Sequence, residues 1–353
     1  MSDLAREFAD RIAGATGPLC IRGGGSKDFH GNAARGEILD TRGHSGIVDF
    51  DPTELVITAK CGTPLAEIKS ALATRRQMLA FEPPGFGGDA TLGGVVAAGL
   101  SGPRRATAGA VRDFVLGVNI LDGEGRRLTF GGQVMKNVAG YDVSRLMAGS
   151  LGTLGLILEV SLKVLPMPAA EATLRFDLPA AKALDTMNSW AGQPLPLSAT
   201  CWHDDVLTVR LSGARAAVDA ACAALGGEKL GAGDTVFWED LREQRLAFFG
   251  GQGDDGALWR LSLPSVAPVL DLPGPTLIEW GGAQRWLRSA AAAAQVRAAA
   301  ERVGGHATLF RGGDKSGGVF PPLDPVLARI HRDLKRAFDP GGIFNPGRLY
   351  PDL

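Results

Sequence analysis

The first residues that could do chemistry are a run of three glycines. Arg22-Gly23-Gly24-Gly25-Ser26-Lys27 follows the apolar run Leu19, Cys20 and Ile21, the pattern of a buried strand ending in a backbone nest. Without Cβ atoms, successive N–H groups can converge on one anion, and each charge-assisted bond of that kind contributes about 1.5–3 kcal/mol. A pyrophosphate suits such a loop; a flexible glycine turn is the plainer alternative. The spacing is neither G-x-G-x-x-G nor a Walker A sequence, so the Rossmann and P-loop readings fail. A second nest, Gly149-Ser150-Leu151-Gly152-Thr153-Leu154-Gly155, spaces its glycines at i, i+3 and i+6 and opens onto an apolar run. One glycine would serve a plain turn, so this stretch reads as backbone that approaches a flat ring or a phosphate.

Stepping outward, the elements around these loops are mixed α/β. Residues 37–40, 46–50 and 55–59 read as short strands punctuated by Asp51-Pro52 and Gly62. Thr63 is expected to cap a helix with Pro64 in its first turn and Leu65, Ile68 and Leu72 on one face. Residues 89–98 form a turn feeding a small-residue helix, 115–121 and 127–130 a hairpin turned by Asp122-Gly123, 141–147 a helix and 156–164 a strand. Pro166 and Pro168 then break the pattern. Beyond Ala172 the order strand, helix, strand, strand, helix runs over 172–225, and a second, similar round runs over 258–310. That repetition predicts an antiparallel sheet covered by helices on one face, an α+β cap. A last helix, 324–338, stops before Asp339-Pro340.

Length and composition bound the function. At 353 residues the chain is expected to hold two domains, and 45% hydrophobic with 21% charged residues is ordinary globular composition. A net charge of -1 gives no basic stripe for nucleic acid, so a small-molecule site is expected. Cys20, Cys61, Cys201 and Cys222 are widely spaced without a C-x-x-C pair, which argues against zinc, iron-sulfur or disulfide frameworks and for buried thiols in a reducing compartment. His30, His44, His203 and His331 have no clustered carboxylates or cysteines, so no metal site is expected. His331 sits among Arg329, Arg332, Lys335 and Arg336, which reads as a solvated basic face. Trp202, Trp238, Trp259, Trp280 and Trp286 read as cap core. The segment 4–15 is an amphipathic helix rather than a signal peptide, and no run of 18 apolar residues predicts a transmembrane helix.

Seven motifs in order carry a family resemblance: the Arg22 nest, Glu82-Pro83-Pro84, Thr91-Leu92-Gly93-Gly94, Val111 to Gly117, Lys136 to Asp142, the Gly149 nest, and Asp339-Pro340 with Asn345-Pro346-Gly347. Together they resemble the PCMH-type FAD-binding domain of the vanillyl-alcohol oxidase superfamily, and more closely the smaller FAD-binding subunits of bacterial glycolate oxidases. The resemblance is dense over 17–168 and the tail and thin across the cap. It implies an α+β fold: an FAD-binding domain of two α/β subdomains over 1–168, an α+β cap with antiparallel sheet over 169–320, and a C-terminal helix and tail, 321–353, returning to the FAD domain. It also implies that Arg22, Gly23, Gly24, Gly25, Ser26 and Lys27 hold the FAD pyrophosphate. Pro84, Thr91, Gly93, Gly94, Gly109 and Asp113 would line the dinucleotide. Ser150, Gly152, Thr153, Gly155 and Ile157 would contact adenine, ribose or ring, and Asn345 would close the site. Where relatives tether flavin through a histidine at the end of the first nest, this chain has Ser26, so non-covalent FAD is expected.

Oxidising a 2-hydroxy acid needs a base near the hydroxyl and a cation for the carboxylate. The catalytic relatives carry H-x-G-D-G-N-x-H in the cap; the comparable stretch here, 304–314, has only His306, with Arg311 as the candidate carboxylate clamp. The resemblance therefore implies a subunit that works beside a larger FAD-containing subunit and an iron-sulfur subunit, oxidising glycolate to glyoxylate in the cytoplasm or, through its complex, at the inner membrane's periphery. A stand-alone FAD-dependent 2-hydroxyacid dehydrogenase and a non-catalytic flavin-binding scaffold are the alternatives.

Overall fold

The computed structural model describes residues 3–132, 142–231, 234–250 and 256–353. Residues 136–141 of the Lys136-to-Asp142 motif lie outside them. The chain forms two compact α+β units, one from Met1–Leu100, Ala110–Pro166 and Pro322–Leu353, the other from Ser101–Gly109 and Met167–Pro321.

In the first unit β1 (Leu19–Arg22) pairs in parallel with β2 (Glu37–Asp40). A five-stranded antiparallel sheet combines β3 (Ile47–Asp51), β4 (Val56–Lys60), β6 (Val115–Leu121), β7 (Arg127–Gly131) and β8 (Leu156–Lys163), while β5 (Gln77–Met78) pairs with β9 (Leu165–Pro166). Its order is β3-β4-β8-β6-β7, and the central β8 is the strand onto which the second nest opens. Apolar burial is what seats the N-terminal helix Asp3–Ala13: Ala5, Phe8 and Ile12 pack with Leu19, Leu39, Leu121, Leu156, Leu158 and Phe344. Thr63 does not cap the helix Leu65–Ala73; its hydroxyl accepts from Gly46 N–H and donates to Gly46 C=O, tying the helix entrance to the start of β3.

The helix Pro325–Phe338 starts as its sequence dictates, with Asp324 accepting from the amides of Val326 and Leu327 and Pro325 in the first turn. Lys335, however, is not on a solvated face. Its ammonium is buried and donates to Asp339 Oδ2 at 2.6 Å, Phe344 C=O at 2.7 Å and Thr153 C=O at 2.8 Å. Asp339 in turn accepts from the amides of Ile343 and Phe344. Burial lowers the Lys335 pKa, and the hydrogen bond and charge of Asp339 oppose that shift. Arg329, Arg332 and Arg336 are exposed.

The second unit is built on one eight-stranded antiparallel sheet: β10 (Ala170–Asp177), β11 (Leu197–His203), β12 (Val206–Gly213), β13 (Glu228–Lys229), β14 (Ala257–Ser262), β15 (Thr276–Glu279), β16 (Gln284–Ser289) and β17 (His306–Arg311). Its order is β13-β10-β12-β11-β15-β16-β14-β17. Helices Ala180–Ala191 and Arg215–Leu225 bury Ala183, Leu184, Met187, Val218 and Ala221 against Leu174, Val209 and Leu211. Helix Ala293–Arg302 buries Val296 and Ala300 against Trp259, Leu261, Leu287 and Leu309. The two repeated rounds thus share one sheet. A helix the periodicity did not predict, Asp234–Glu243, contributes Trp238, whose indole N–H donates to Thr173.

Replacing Lys335 by Met leaves the Asp339 carboxylate buried without its cation, a change that typically costs about 3–5 kcal/mol. The expected outcome is a matching fall in unfolding free energy, read from the urea midpoint at unchanged slope.

Candidate functional site

Both glycine nests line a single pocket in the first unit. Strand β1 delivers Cys20, Ile21 and Arg22 to its wall, and the first nest follows directly. The helix Leu92–Ala98 links the two nests. At its start, Thr91 accepts from Gly94 N–H, and a Cβ on Gly23 would strike the Thr91 hydroxyl. At its end, the carbonyls of Val96 and Ala97 accept from the amides of Gly149 and Leu151. Asn345 closes the ring of contacts: its Oδ1 accepts from Ile21 N–H at 2.9 Å and its Nδ2 donates to Leu151 C=O at 2.6 Å. The tail also lies parallel to β1, with Leu19 N–H donating to Ile343 C=O and Asn345 N–H donating to Leu19 C=O.

The lining suits a dinucleotide. The amides of Gly24, Gly25 and Ser26 donate to no protein acceptor among the described residues, which leaves them available to an anion. Gly25 stands at φ 73°, in the left-handed region that glycine adopts without strain. Among the charged residues of the lining, three cations (Arg22, Lys27, Arg348) face one carboxylate, Asp28, so the pocket favours negative charge. Arg22 is engaged with Asp28 at 2.7 Å. Arg348 is buried, donates to the backbone carbonyls of Asn32 and Asp28, and has its pKa lowered chiefly by burial. Nothing in the residue pattern marked Arg348, because its link to the nest spans more than three hundred positions. Cys20 and Cys61 also line the pocket; burial raises both thiols, Cys61 to about 12.

Of the residues expected to contact the cofactor, Arg22 to Lys27, Thr91, Gly93, Gly94, Gly152, Gly155, Ile157 and Asn345 all line this pocket. Pro84, Gly109, Asp113, Ser150 and Thr153 are not among its lining residues. The Ser150 and Thr153 hydroxyls donate to Met147 C=O and Ser150 C=O and so shape the second nest from within. Asp113 accepts from Ala110 N–H, and Gly109 belongs to the second unit.

His306 and Arg311 are not brought together. They are the two ends of β17, opposite Ser262 and Leu258 on β14, so about 17 Å of strand separates them at about 3.4 Å per residue. One small 2-hydroxy acid does not span that backbone distance, so His306 and Arg311 could meet the same ligand only through the reach of their side chains. The four cysteines are free, three of them buried and Cys222 half-buried. Among the described residues no group of three His, Cys, Asp or Glu side chains could hold a metal, and no helix is long and apolar enough to cross a membrane.

Comparison with known proteins bears on the same segments. The FAD binding domain family matches residues 9–131. Glycolate oxidase subunit GlcE of Escherichia coli (strain K12) is 53% identical over 336 residues, covering 95% of this chain and 93% of that protein. The chain belongs to the GlcE family. GlcE-type chains are flavoprotein oxidoreductase subunits, and the first nest lies within the segment that the FAD binding domain family matches, while the second nest lies beyond it. The glycolate oxidase subunit GlcD of Bacillus subtilis (strain 168) is 30% identical over 159 residues, 44% of this chain and 34% of that protein. A D-2-hydroxyglutarate dehydrogenase from Xanthomonas citri pv. viticola is 31% identical over 174 residues, 48% of this chain and 36% of that protein. Among solved structures, alkyldihydroxyacetonephosphate synthase matches with a TM-score of 0.65 at 16% identity, covering 98% of this chain and 75% of that one. That likeness bears out the mixed α+β fold expected from the motifs.

Glycines in the lining differ in what fixes them. A Cβ on Gly24 would collide with the Asp89 carbonyl, and one on Gly93 would come within 2.7 Å of Cys61 Cβ, so both are glycine because protein packs there. A Cβ on Gly94 meets only Thr91 Oγ1 at 3.3 Å. Gly94→Leu is therefore expected to fill the pocket while the fold persists: the purified variant loses most of its flavin absorbance, with its circular dichroism melt close to that of the parent.

Proposed function

We propose that this chain is the smaller flavin subunit of a glycolate-oxidising complex, holding one FAD non-covalently in the pocket between its two nests. The observation that carries this reading is the 53% identity to GlcE across nearly the whole of both chains. In the pocket, the free amides of Gly24, Gly25 and Ser26, with Lys27 and Arg348 beside them, suit the diphosphate. Thr91, Gly93 and Gly94 suit the dinucleotide's flank, and Gly152, Gly155 and Ile157 suit a flat ring or ribose. Bound there, FAD supplies a two-electron acceptor. Asn345 acts as a positioning residue, since both ends of its amide hold protein backbone.

Two features support the non-covalent mode. Ser26, rather than histidine, ends the first nest, and the Cys20 and Cys61 thiols on the lining are pushed away from the thiolate form by burial. Flavin is expected to leave completely with the supernatant when the protein is precipitated with acid; colour retained in the pellet refutes this mode.

In the proposed complex a larger FAD-containing subunit and an iron-sulfur subunit complete the path, glycolate losing two electrons and two protons to become glyoxylate. The assembly would work in the cytoplasm or at the inner membrane's periphery. The separation of His306 from Arg311 favours a dependent subunit over a stand-alone dehydrogenase. Anaerobic glycolate should leave the flavin of the isolated chain oxidised and bleach it within the assembled complex. Rapid bleaching of the isolated chain would instead establish the stand-alone enzyme, and a chain whose flavin stays oxidised during complex turnover would establish a scaffold.

A further inference from the structure

We propose that a cavity of the second unit, lined by Arg175, Thr208 and His203, binds a monocarboxylic acid with an apolar body. Strand alternation creates its floor. Leu174, Trp202, Leu207 and Val209 pack with the helices Ala180–Ala191 and Arg215–Leu225, so Arg175, Cys201, His203, Val206 and Thr208 stand on the opposite face of the sheet. Register gathers them there: Thr208 of β12 lies opposite Arg175 of β10 and Cys201 of β11, and Val206 lies opposite His203. The cavity measures about 400 Å³, within the range of about 300–1,000 Å³ ordinary for small-molecule sites. It shares no lining residue with the pocket of the two nests.

The walls are apolar and are held by bonds of their own. Phe237, from the helix Asp234–Glu243, and Phe248, from the 3-10 turn Ala247–Phe249, line the cavity together with Val206, Leu230 and Leu246. The helix is tied to β10 through Trp238, whose indole N–H donates to Thr173 at 3.0 Å. The turn is tied to β16 through Arg288, which donates to the carbonyls of Phe248 and Phe249. Phe248 also meets the His203 ring edge-on, with centroids 5.2 Å apart and planes at 71°. Walls fixed in advance reduce the entropy lost when a ligand enters.

Polar groups on this cavity lack protein partners. Thr208 is only 4% exposed, yet its hydroxyl makes no hydrogen bond among the described residues. Buried hydroxyls are ordinarily paired, so one left over on a cavity wall is a donor offered to an occupant. The half-buried Arg175 guanidinium likewise forms no hydrogen bond or ion pair among the described residues. A planar guanidinium with a hydroxyl donor on the neighbouring strand is a set that receives a carboxylate. Burial lowers the His203 pKa against the opposing charge of Asp204, so the imidazole is neutral at pH 7 and adds no second cation. Asp204, held at φ 53° in the hairpin turn, also lines the cavity, and its charge disfavours a second carboxylate on the ligand. One cation, one hydroxyl and an aromatic wall therefore suit a monoanion with a hydrocarbon body. Occupancy of this cavity is independent of whether flavin fills the other.

The test is calorimetric titration of the purified full chain with 3-phenylpropanoate, with the flavin absorbance and the thermal melt recorded on the same samples. Saturable heat at one site per chain is expected. On the unaltered chain, 3-phenylpropanol, which lacks the charge, and acetate, which lacks the body, should each bind at least about tenfold more weakly, and phenylsuccinate, with a second carboxylate, should also bind more weakly. Arg175→Met should weaken 3-phenylpropanoate about 10–100-fold and Thr208→Val about 2–10-fold, with Arg175→Lys recovering part of the loss. Folded parent that gives no saturable heat, equal binding of the acid and the alcohol, or tighter binding of phenylsuccinate overturns the site. So does an Arg175→Met variant that melts and binds like the parent. Release of flavin by 3-phenylpropanoate would put the binding in the first unit and overturn it as well.

Discussion

The side-chain amide of Asn345 is the contact on which the first unit's pocket depends. It holds the backbone of β1, just before the first nest, to the backbone of the second nest, and it reaches both from the far end of the chain. An amide can do this because it offers a donor and an acceptor in one plane; aspartate would set a carboxylate against the Leu151 carbonyl. A glycine loop left to itself samples many conformations, and ordering each residue costs about 1–2 kcal/mol. Fixing two such loops therefore needs contacts made in advance of any ligand. The Lys335 and Asp339 pair serves the same end one layer deeper, since Lys335 also holds the Thr153 carbonyl of the second nest.

The rest of the pocket follows from close packing around that clamp. The small-residue helix Leu92–Ala98 can lie against both loops because its first turn is Gly93-Gly94 and it ends at Gly99. Glycine here has two separate causes. At Gly24 and Gly93 the backbone of one loop touches another part of the protein, whereas at Gly94 the missing side chain leaves space open. Only the second kind speaks directly of a ligand, and the two cannot be told apart from composition.

Much of this was legible in the residues. Most strands and helices of both units followed from periodicity, and the two nests stood out as glycine clusters beside buried strands. What escaped had long-range causes. Arg348 reaches the backbone of Lys27 and Asp28, at the end of the first nest, across the length of the chain. Lys335 read as a surface residue because a helix full of arginines hides one inward lysine. The helix Asp234–Glu243 escaped because its apolar residues are interleaved with five charged ones, although Trp238 and Leu241 are buried and the Trp238 indole donates to Thr173. Thr63 has the right identity and place for a cap, yet Gly46 outcompeted the helix for its hydroxyl.

Ser101–Gly109 interrupts the first unit and belongs to the second, so the polypeptide passes from one unit to the other four times. Arg104 in that segment pairs with Glu171, and Gly102 accepts the Trp280 indole N–H. The second unit is consequently not a cassette. Genetic exchange at a single junction cannot transplant it whole, and homologues that trade this half must have exchanged the nine-residue insert as well or repaired the polar groups it leaves behind.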